Sequence, residues 1–521
     1  MAEVDPPEAV QLELFTNRFA AVVRDMGSLL SRTALSTNVK ERLDFSCALL
    51  DREGQLVVNA PHIPVHLGAV GLCVRRLLDE RPMADGDTVV TNHPAFGGSH
   101  LPDVTLVTPV FDADGDRVAF VANRAHHAEI GGRWPGSVPP DATRLSEEGV
   151  VIPPLELVRR GETRWPEVRR LLEGGRYPSR APAENLADLA AGLAANRLGA
   201  GGLKELVREH GAGTVRRYMD ELRESAARRM GEALRRLGDG VFAAREELDD
   251  GTPLAVRIEV ESGRASVDFA GSGPVHSGNL NATPAVVRSV VLYVLRLLVA
   301  EELPLNEGLL APVRLSIPSG ILAPPFAPDP EGCPAVVGGN VETSQRLVDL
   351  LLKALGLVAC SQGTMNNVIF GDGRFGYYET LGGGCGAGPG FAGASAVHSH
   401  MTNTRMTDPE ILEHRYPVRV RRLAVRRGSG GAGRWRGGDG LVRELEFLAP
   451  VHVSVLTQHR SSGPYGVEGG AAGAPGRQRL QRSTGEVVKL ASVDGVRAEP
   501  GDRLEIETPG GGGWGAPEET G

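Results

Sequence analysis

The spacing of apolar residues along this chain changes period several times, and each change marks an element. Leu12, Phe15, Phe19, Val22, Val23, Met26, Leu29 and Leu30 recur at helical intervals, which predicts a long amphipathic helix over 7–36. Strand-like runs follow at 44–50 and 55–58, joined by a turn at Asp51-Arg-Glu-Gly54, with Asp44 at the start of the first run. A short helix over 67–80 then leads through Asp85-Gly-Asp87 into a strand. Two β-branched runs, 104–111 and 117–123, flank Asp112-Ala-Asp-Gly-Asp116 and read as a hairpin turning about Asp114. That hairpin sets position 103 opposite roughly position 125.

Beyond an irregular stretch at 131–154, residues 184–237 return to helical spacing, with the glycines of 199–202 predicted to split them into two or three helices. Strands are expected over 241–269, with turns at Asp249-Asp-Gly251 and Glu261-Ser-Gly263, then a buried helix over 283–300. A Pro-rich connector at 317–334 precedes a helix at 341–356. From Arg415 onward the chain is short strands and glycine turns, and no internal repeat stands out. The sum is an α+β chain, a multi-lobed mixed fold with a helical layer and a β-rich C-terminal lobe. Four regions are expected: 1–180, a helical 181–240, 241–415 with a Gly-rich loop, and 416–521.

Composition narrows the classes. With 521 residues the chain is too long for one small core, and its 68 glycines and 36 prolines alternate with apolar segments instead of forming tracts. A net charge of −9 argues against a nucleic-acid surface. Arginines do cluster at 419–427, but they alternate with Val, Leu and Ala as in a half-exposed strand. Five cysteines, none in a CxxC pair, fit a reducing compartment. The longest apolar run, 285–300, carries Arg288 and Arg296 and is too short to cross a bilayer. The N-terminus lacks an apolar signal core. A cytoplasmic protein with no membrane and no nucleic-acid partner is expected.

Candidate chemistry gathers between Asn92 and His127. Folding the hairpin brings Asp103 and His126 to its open end, and His100 enters from the Gly97-Gly98 turn. Two imidazoles and a carboxylate at one strand end form a candidate divalent-metal site. In the irregular stretch, Glu147 and Glu148 lie on a loop that could approach it; Glu148 is the candidate general base, and Glu147 reads as a solvated turn. Other features carry less. Asp112–Asp116 is no calcium loop, since Gly115 comes too early and position twelve is Asn123. Cys385, with His398 or His400 as base, reads better as a thiol packed against backbone. His62 and His66 are separated by Pro64 and line a pocket or form a turn. The Gly-rich tract 381–391 permits close approach of a ligand or a neighbouring subunit. The phosphate-binding GxxxxGK[ST] pattern is absent, so any ATP is expected on another chain.

Ten stretches carry a resemblance: ERLDFSCALLD (41–51), HIPVHLGA (62–69), NHPAFGGSHLPDVTL (92–106), ANRAHHAEIGG (122–132), EEGVVIPP (147–154), DFAGSGPVHSGNLNAT (268–283), NVETSQRLVDLLLKAL (340–355), YYETLGGGCGAGP (377–389), HSHMTNTRMTDPEILEHRYP (398–417) and ETPGGGGWG (507–515). In this order they resemble the hydantoinase B family, the B-type chains of ATP-dependent hydantoinases, 5-oxoprolinases and caprolactamases, with ketone carboxylases as relatives. The resemblance implies metal ligands at Asp44, His100, Asp103 and His126, with His127 beside them to support a ligand or touch substrate. It also implies one divalent ion (zinc, manganese or iron), and a hydantoinase A-type partner that binds ATP and Mg²⁺ in a hetero-oligomer such as A2B2. The implied reaction is opening of a cyclic amide: hydantoin, 5-oxoproline or a related lactam. The partner would phosphorylate the ring carbonyl oxygen and this chain would complete the opening. The alternatives are a metal-bearing subunit of an acetone- or acetophenone-type carboxylase, and a non-catalytic subunit stapled by its metal.

Overall fold

The computed structural model describes residues 8–59, 63–301, 303–327 and 329–517; His62 lies outside them. Its N-terminal half is organised on a seven-stranded antiparallel sheet. The strands are β1 (Phe45–Asp51), β2 (Leu56–Asn59), β3 (Thr88–Thr91), β4 (Asp103–Phe111), β5 (Arg117–His126), β6 (Leu155–Arg159) and β7 (Glu162–Thr163), in spatial order β2-β1-β5-β4-β3-β6-β7. β4 and β5 are central and buried on both faces, which is why their sequences run apolar without strict alternation. Helix Pro182–His210 covers one face together with helix Glu8–Thr33, through Phe19, Met26, Leu49, Val121 and Leu203. Helix Ala69–Glu80 covers the other, through Val70, Val74, Leu77 and Phe120. Asn196 ties the first helix to the sheet, donating to the Leu106 carbonyl and Thr108 Oγ1 and accepting from Asn123.

Two expectations change. Asp103 pairs with His126, one residue further along than a regular hairpin about Asp114 gives, because the register shifts between Val110 and Phe111; a bulge adds one residue to one strand. The helix from Pro182 also runs unbroken through Gly199–Gly202 and ends only at Gly211, whose φ is +80°. The glycines serve approach: a Cβ on Gly199 would lie 2.3 Å from Met26 Sδ, and one on Gly192 2.8 Å from Asn123 Oδ1.

Three further sheets complete the α+β fold. Gly240–Glu247, Pro253–Glu261 and Arg264–Asp268 form an antiparallel set extended by the parallel strand Val313–Ser316. Asn367–Gly371 and Gly376–Glu379 join Val451–Leu456 and Val493–Ala498, on either side of position 415. Five strands between Val418 and Glu507 form the last sheet, with the Arg-rich strand Val418–Arg426 at its edge. Helices Pro284–Leu298 and Ser344–Ala354 pack together in the largest core. The Gly-rich tract packs on the chain's own backbone: a Cβ on Gly386 would lie 1.8 Å from the Ala359 carbonyl, and one on Gly384 2.0 Å from that of Gly438. Among the described residues no helix is long and apolar enough to cross a membrane.

Candidate metal centre

Sheet order assembles the site. Asp103 opens β4 and His126 closes β5, and their pairing sets them side by side. β1 lies against the other edge of β5, with Phe45 opposite Ala125. Asp44 therefore falls beside His126, whose amide donates to the Asp44 carbonyl at 3.0 Å. His100 returns from the tight turn that precedes β4, its carbonyl accepting from the Asp103 amide. Gly97, at φ +81°, makes that turn without strain, and a Cβ there would strike the Cys73 backbone at 2.6 Å.

The ligand-type atoms of His100, Asp103 and His126 lie within 4.8 Å of one another, and all three residues are buried. Asp103 Oδ1 is 3.1 Å from His100 Nε2 and 3.5 Å from His126 Nδ1; Asp44 Oδ2 is 3.7 Å from His126 Nδ1. Despite that proximity, both His100 ring nitrogens, Asp103 Oδ1 and His126 Nε2 have no hydrogen-bond partner among the described residues. Buried polar atoms without partners are costly, and here they crowd together with donor and acceptor misaligned. A shared ligand between His100 Nε2 and Asp103 Oδ1 would give both atoms a partner. Burial lowers the His126 pKa against the opposing pull of Asp44, favouring the neutral ring that offers a lone pair. Burial works to raise the Asp103 carboxyl, but His100 and His66 outweigh it and hold it well below the usual range. Imidazole nitrogens with anionic oxygens fit a divalent transition ion.

Two neighbours were not assigned to the site by the sequence. His66, in the turn Pro64–His66 of the HIPVHLGA stretch, places Nε2 3.2 Å from Asp103 Oδ2. The Tyr378 ring stacks on His126 at 4.5 Å and 15°, its hydroxyl donating to Asn367 Oδ1 at 2.8 Å. The Arg42 guanidinium lies 5.1 Å from the same ring and donates to the Tyr378 carbonyl. Both neighbours stand in stretches that carry the family resemblance; pairwise position is what the sequence could not supply.

The other candidates have contacts of their own. His127 follows the end of β5, and its Nδ1 is 3.1 Å from Asn185 Nδ2. Glu148 is fully buried, and its oxygens accept from the Val336 and Val337 amides at 2.9–3.0 Å. It is absent from the converging group. Glu147 caps its own turn, accepting from the Thr143 amide and pairing with Arg133. Burial pushes the Cys385 thiol up to about 11, and His400 pairs with Asp349.

With this geometry in view, comparison with known proteins is decisive. A family model described as hydantoinase B/oxoprolinase matches residues 8–517. The chain belongs to that family. It is 46% identical to 5-oxoprolinase 1 of Arabidopsis thaliana over 98% of this chain, and 29% identical over its whole length to a Pseudomonas sp. protein named as the B-type subunit of a D-/L-hydantoinase. It spans 42% of the former and 91% of the latter. Among solved structures, the ATP-dependent caprolactamase of Pseudomonas jessenii superposes with a TM-score of 0.87 at 27% identity, covering 99% of this chain and 92% of that one. Acetone carboxylase gives the same TM-score at 16% identity, over 98% of this chain and 76% of its own, and so shares the fold.

Proposed function

We propose that this chain is the metal-bearing part of an ATP-dependent cyclic-amide hydrolase, with 5-oxoproline as its first candidate substrate and hydantoin or a related lactam next. The observation that carries this reading is the 46% identity with a 5-oxoprolinase across 98% of the chain. The relatives that are named hydantoinase and caprolactamase lie at 29% and 27%. Asp44, His100, Asp103 and His126 would hold one zinc, manganese or iron ion. Such an ion supplies Lewis acidity toward a carbonyl or a water oxygen.

An unstrained lactam is a poor electrophile, and phosphorylation of its carbonyl oxygen creates a leaving group. We assign ATP and Mg²⁺ to a hydantoinase A-type partner, in an assembly such as A2B2; the 91% coverage of a relative named as a subunit supports a separate partner. In this reading the buried trio keeps His126 neutral and Asp103 anionic. Glu148 is assigned to the Val336–Val337 backbone it binds, and His127 to the Asn185 contact.

The test is ring opening of 5-oxoproline, hydantoin and caprolactam, with and without the partner, ATP and Mg²⁺. Turnover that needs the partner and releases ADP in step supports the proposal. No ring opening, but ATP- and bicarbonate-dependent consumption of acetone or acetophenone, moves the chain to the carboxylases.

A further inference from the structure

The two oxygens of Asp103 keep different company. Oδ1 faces the His100 and His126 nitrogens and has no hydrogen bond among the described residues. Oδ2 accepts from Ser99 Oγ at 2.5 Å and lies 3.2 Å from His66 Nε2. A carboxylate oxygen only accepts, so a hydrogen bond along that contact would take its proton from His66 Nε2. The other ring nitrogen, Nδ1, is 3.0 Å from Ser46 Oγ. Ser46 Oγ in turn accepts from the Ile63 amide at 3.3 Å. The chain of contacts thus runs from backbone through Ser46 and His66 to one chosen oxygen of Asp103.

Its members are held from several sides. Pro64 opens the turn that carries His66, the Val65 amide donates to the Met401 carbonyl, and the Gly68 amide donates to Ser289 Oγ. His66, Ser99 and Asp103 are each at most 1% exposed. Water therefore does not compete, and a hydrogen bond to an anionic oxygen gains strength in so dry a setting.

We propose that His66 is a positioning residue for the metal centre: with Ser99 it occupies Oδ2 of Asp103, so that Asp103 presents a divalent ion with Oδ1 alone. This rests on the reading of the His100–Asp103–His126 group as a metal site. Fixing one oxygen keeps a carboxylate from closing over the ion with both, and so leaves room for a water or a substrate oxygen. Supporting contacts of this kind commonly change metal affinity by about 10- to 100-fold.

The test loads the full chain with Co²⁺ and reads its visible absorption and its affinity, in wild type, His66→Leu and His66→Gln. Removing the imidazole leaves Oδ2 with Ser99 as its one neighbour of the two, so His66→Leu shifts the cobalt band and weakens binding by roughly 10- to 100-fold. The glutamine amide reaches the position of Nε2 and still donates, so His66→Gln restores the wild-type band. Identical spectra and affinities in all three overturn the proposal. Should His66→Leu not fold, Ser46→Ala and Ser99→Ala decide: a shifted band in Ser99→Ala with a smaller shift in Ser46→Ala supports it, and wild-type bands in both overturn it. Wild-type chain that takes up no cobalt sinks the metal reading, and the proposal with it.

Discussion

Asp103 and Glu148 are both carboxylates sealed from solvent, and their surroundings have little else in common. Both Glu148 oxygens accept from backbone amides. Burial nevertheless raises its pKa to about 8. Asp103 has one oxygen that accepts from Ser99 and lies 3.2 Å from His66, and one that faces two imidazoles with no hydrogen bond among the described residues. Glu148 is complete within the protein, while Asp103 keeps one oxygen open to the metal proposed above. Burial of an acid does not mark a site. An acid whose remaining atom has close neighbours of ligand type, and no bond to any of them, is the better candidate.

The sharpest way to break this contrast is to remove each side chain. Asp103→Ala should abolish stoichiometric binding of zinc or manganese, and His100→Ala should lower it strongly, both read by metal analysis of the purified chain. Full occupancy in either variant would falsify the site assignment. Glu148→Ala should keep its metal and lose stability, by about 2–4 kcal/mol, since two buried amides lose their acceptor and a cavity remains. Glu148→Gln should be nearly neutral, because Oε1 alone accepts from both Val336 and Val337 and the amide oxygen can replace it. If Glu148→Gln instead stops ring opening with full metal and unchanged melting, Glu148 touches the chemistry and the contrast fails.

The two acids should also respond to pH with opposite sign. A raised folded pKa means the folded state holds its proton longer. The Glu148 contribution is then full below about 4.5 and is lost as pH rises toward about 8. Glu342, raised to about 8 chiefly by burial, acts in the same window, so Glu148→Gln should flatten only part of that decline. Asp103 is held low in the folded state, so its contribution is present above the ordinary carboxylate range and lost on acidification. Asp103→Asn should therefore flatten the acid limb. Denaturant titrations of the metal-free chain between pH 3 and 9, with effects on the order of a few kcal/mol, distinguish the two.

Much of this is legible in the residue pattern alone. The hairpin between Asp103 and His126 follows from two β-branched runs and a turn, because local alternation and turn chemistry fix a register to within a residue. The bulge at Val110–Phe111 does not, since it depends on packing across the sheet. Asp44 is accessible only through family resemblance: nothing local says that β1 lies beside β5. The glycines of Gly199–Gly202 mislead because glycine lowers helix propensity, whereas here it admits Met26. The contacts of Glu148 are hidden from the sequence in the same way. Its position in the chain puts a carboxylate on a loop near a site, and only the fold shows that the Val336–Val337 amides already hold it.

The smallest effect concerns the partner of His126. Tyr378 stacks on that ring and its hydroxyl is tied through Asn367 to Glu342, so it holds the imidazole against one face. Tyr378→Phe keeps the stack and loses one hydrogen bond, and should cost about 1 kcal/mol in stability with metal affinity little changed. Tyr378→Leu removes the aromatic pairing, worth about 0.5–1.5 kcal/mol, and frees the His126 ring to rotate. Its metal affinity should fall several-fold beyond that of Tyr378→Phe, as read by competition with a chromophoric chelator. Equal affinities in the two variants would mean that β5 alone orients His126. The converging group would then owe its geometry to the hairpin, with its aromatic neighbour contributing packing only.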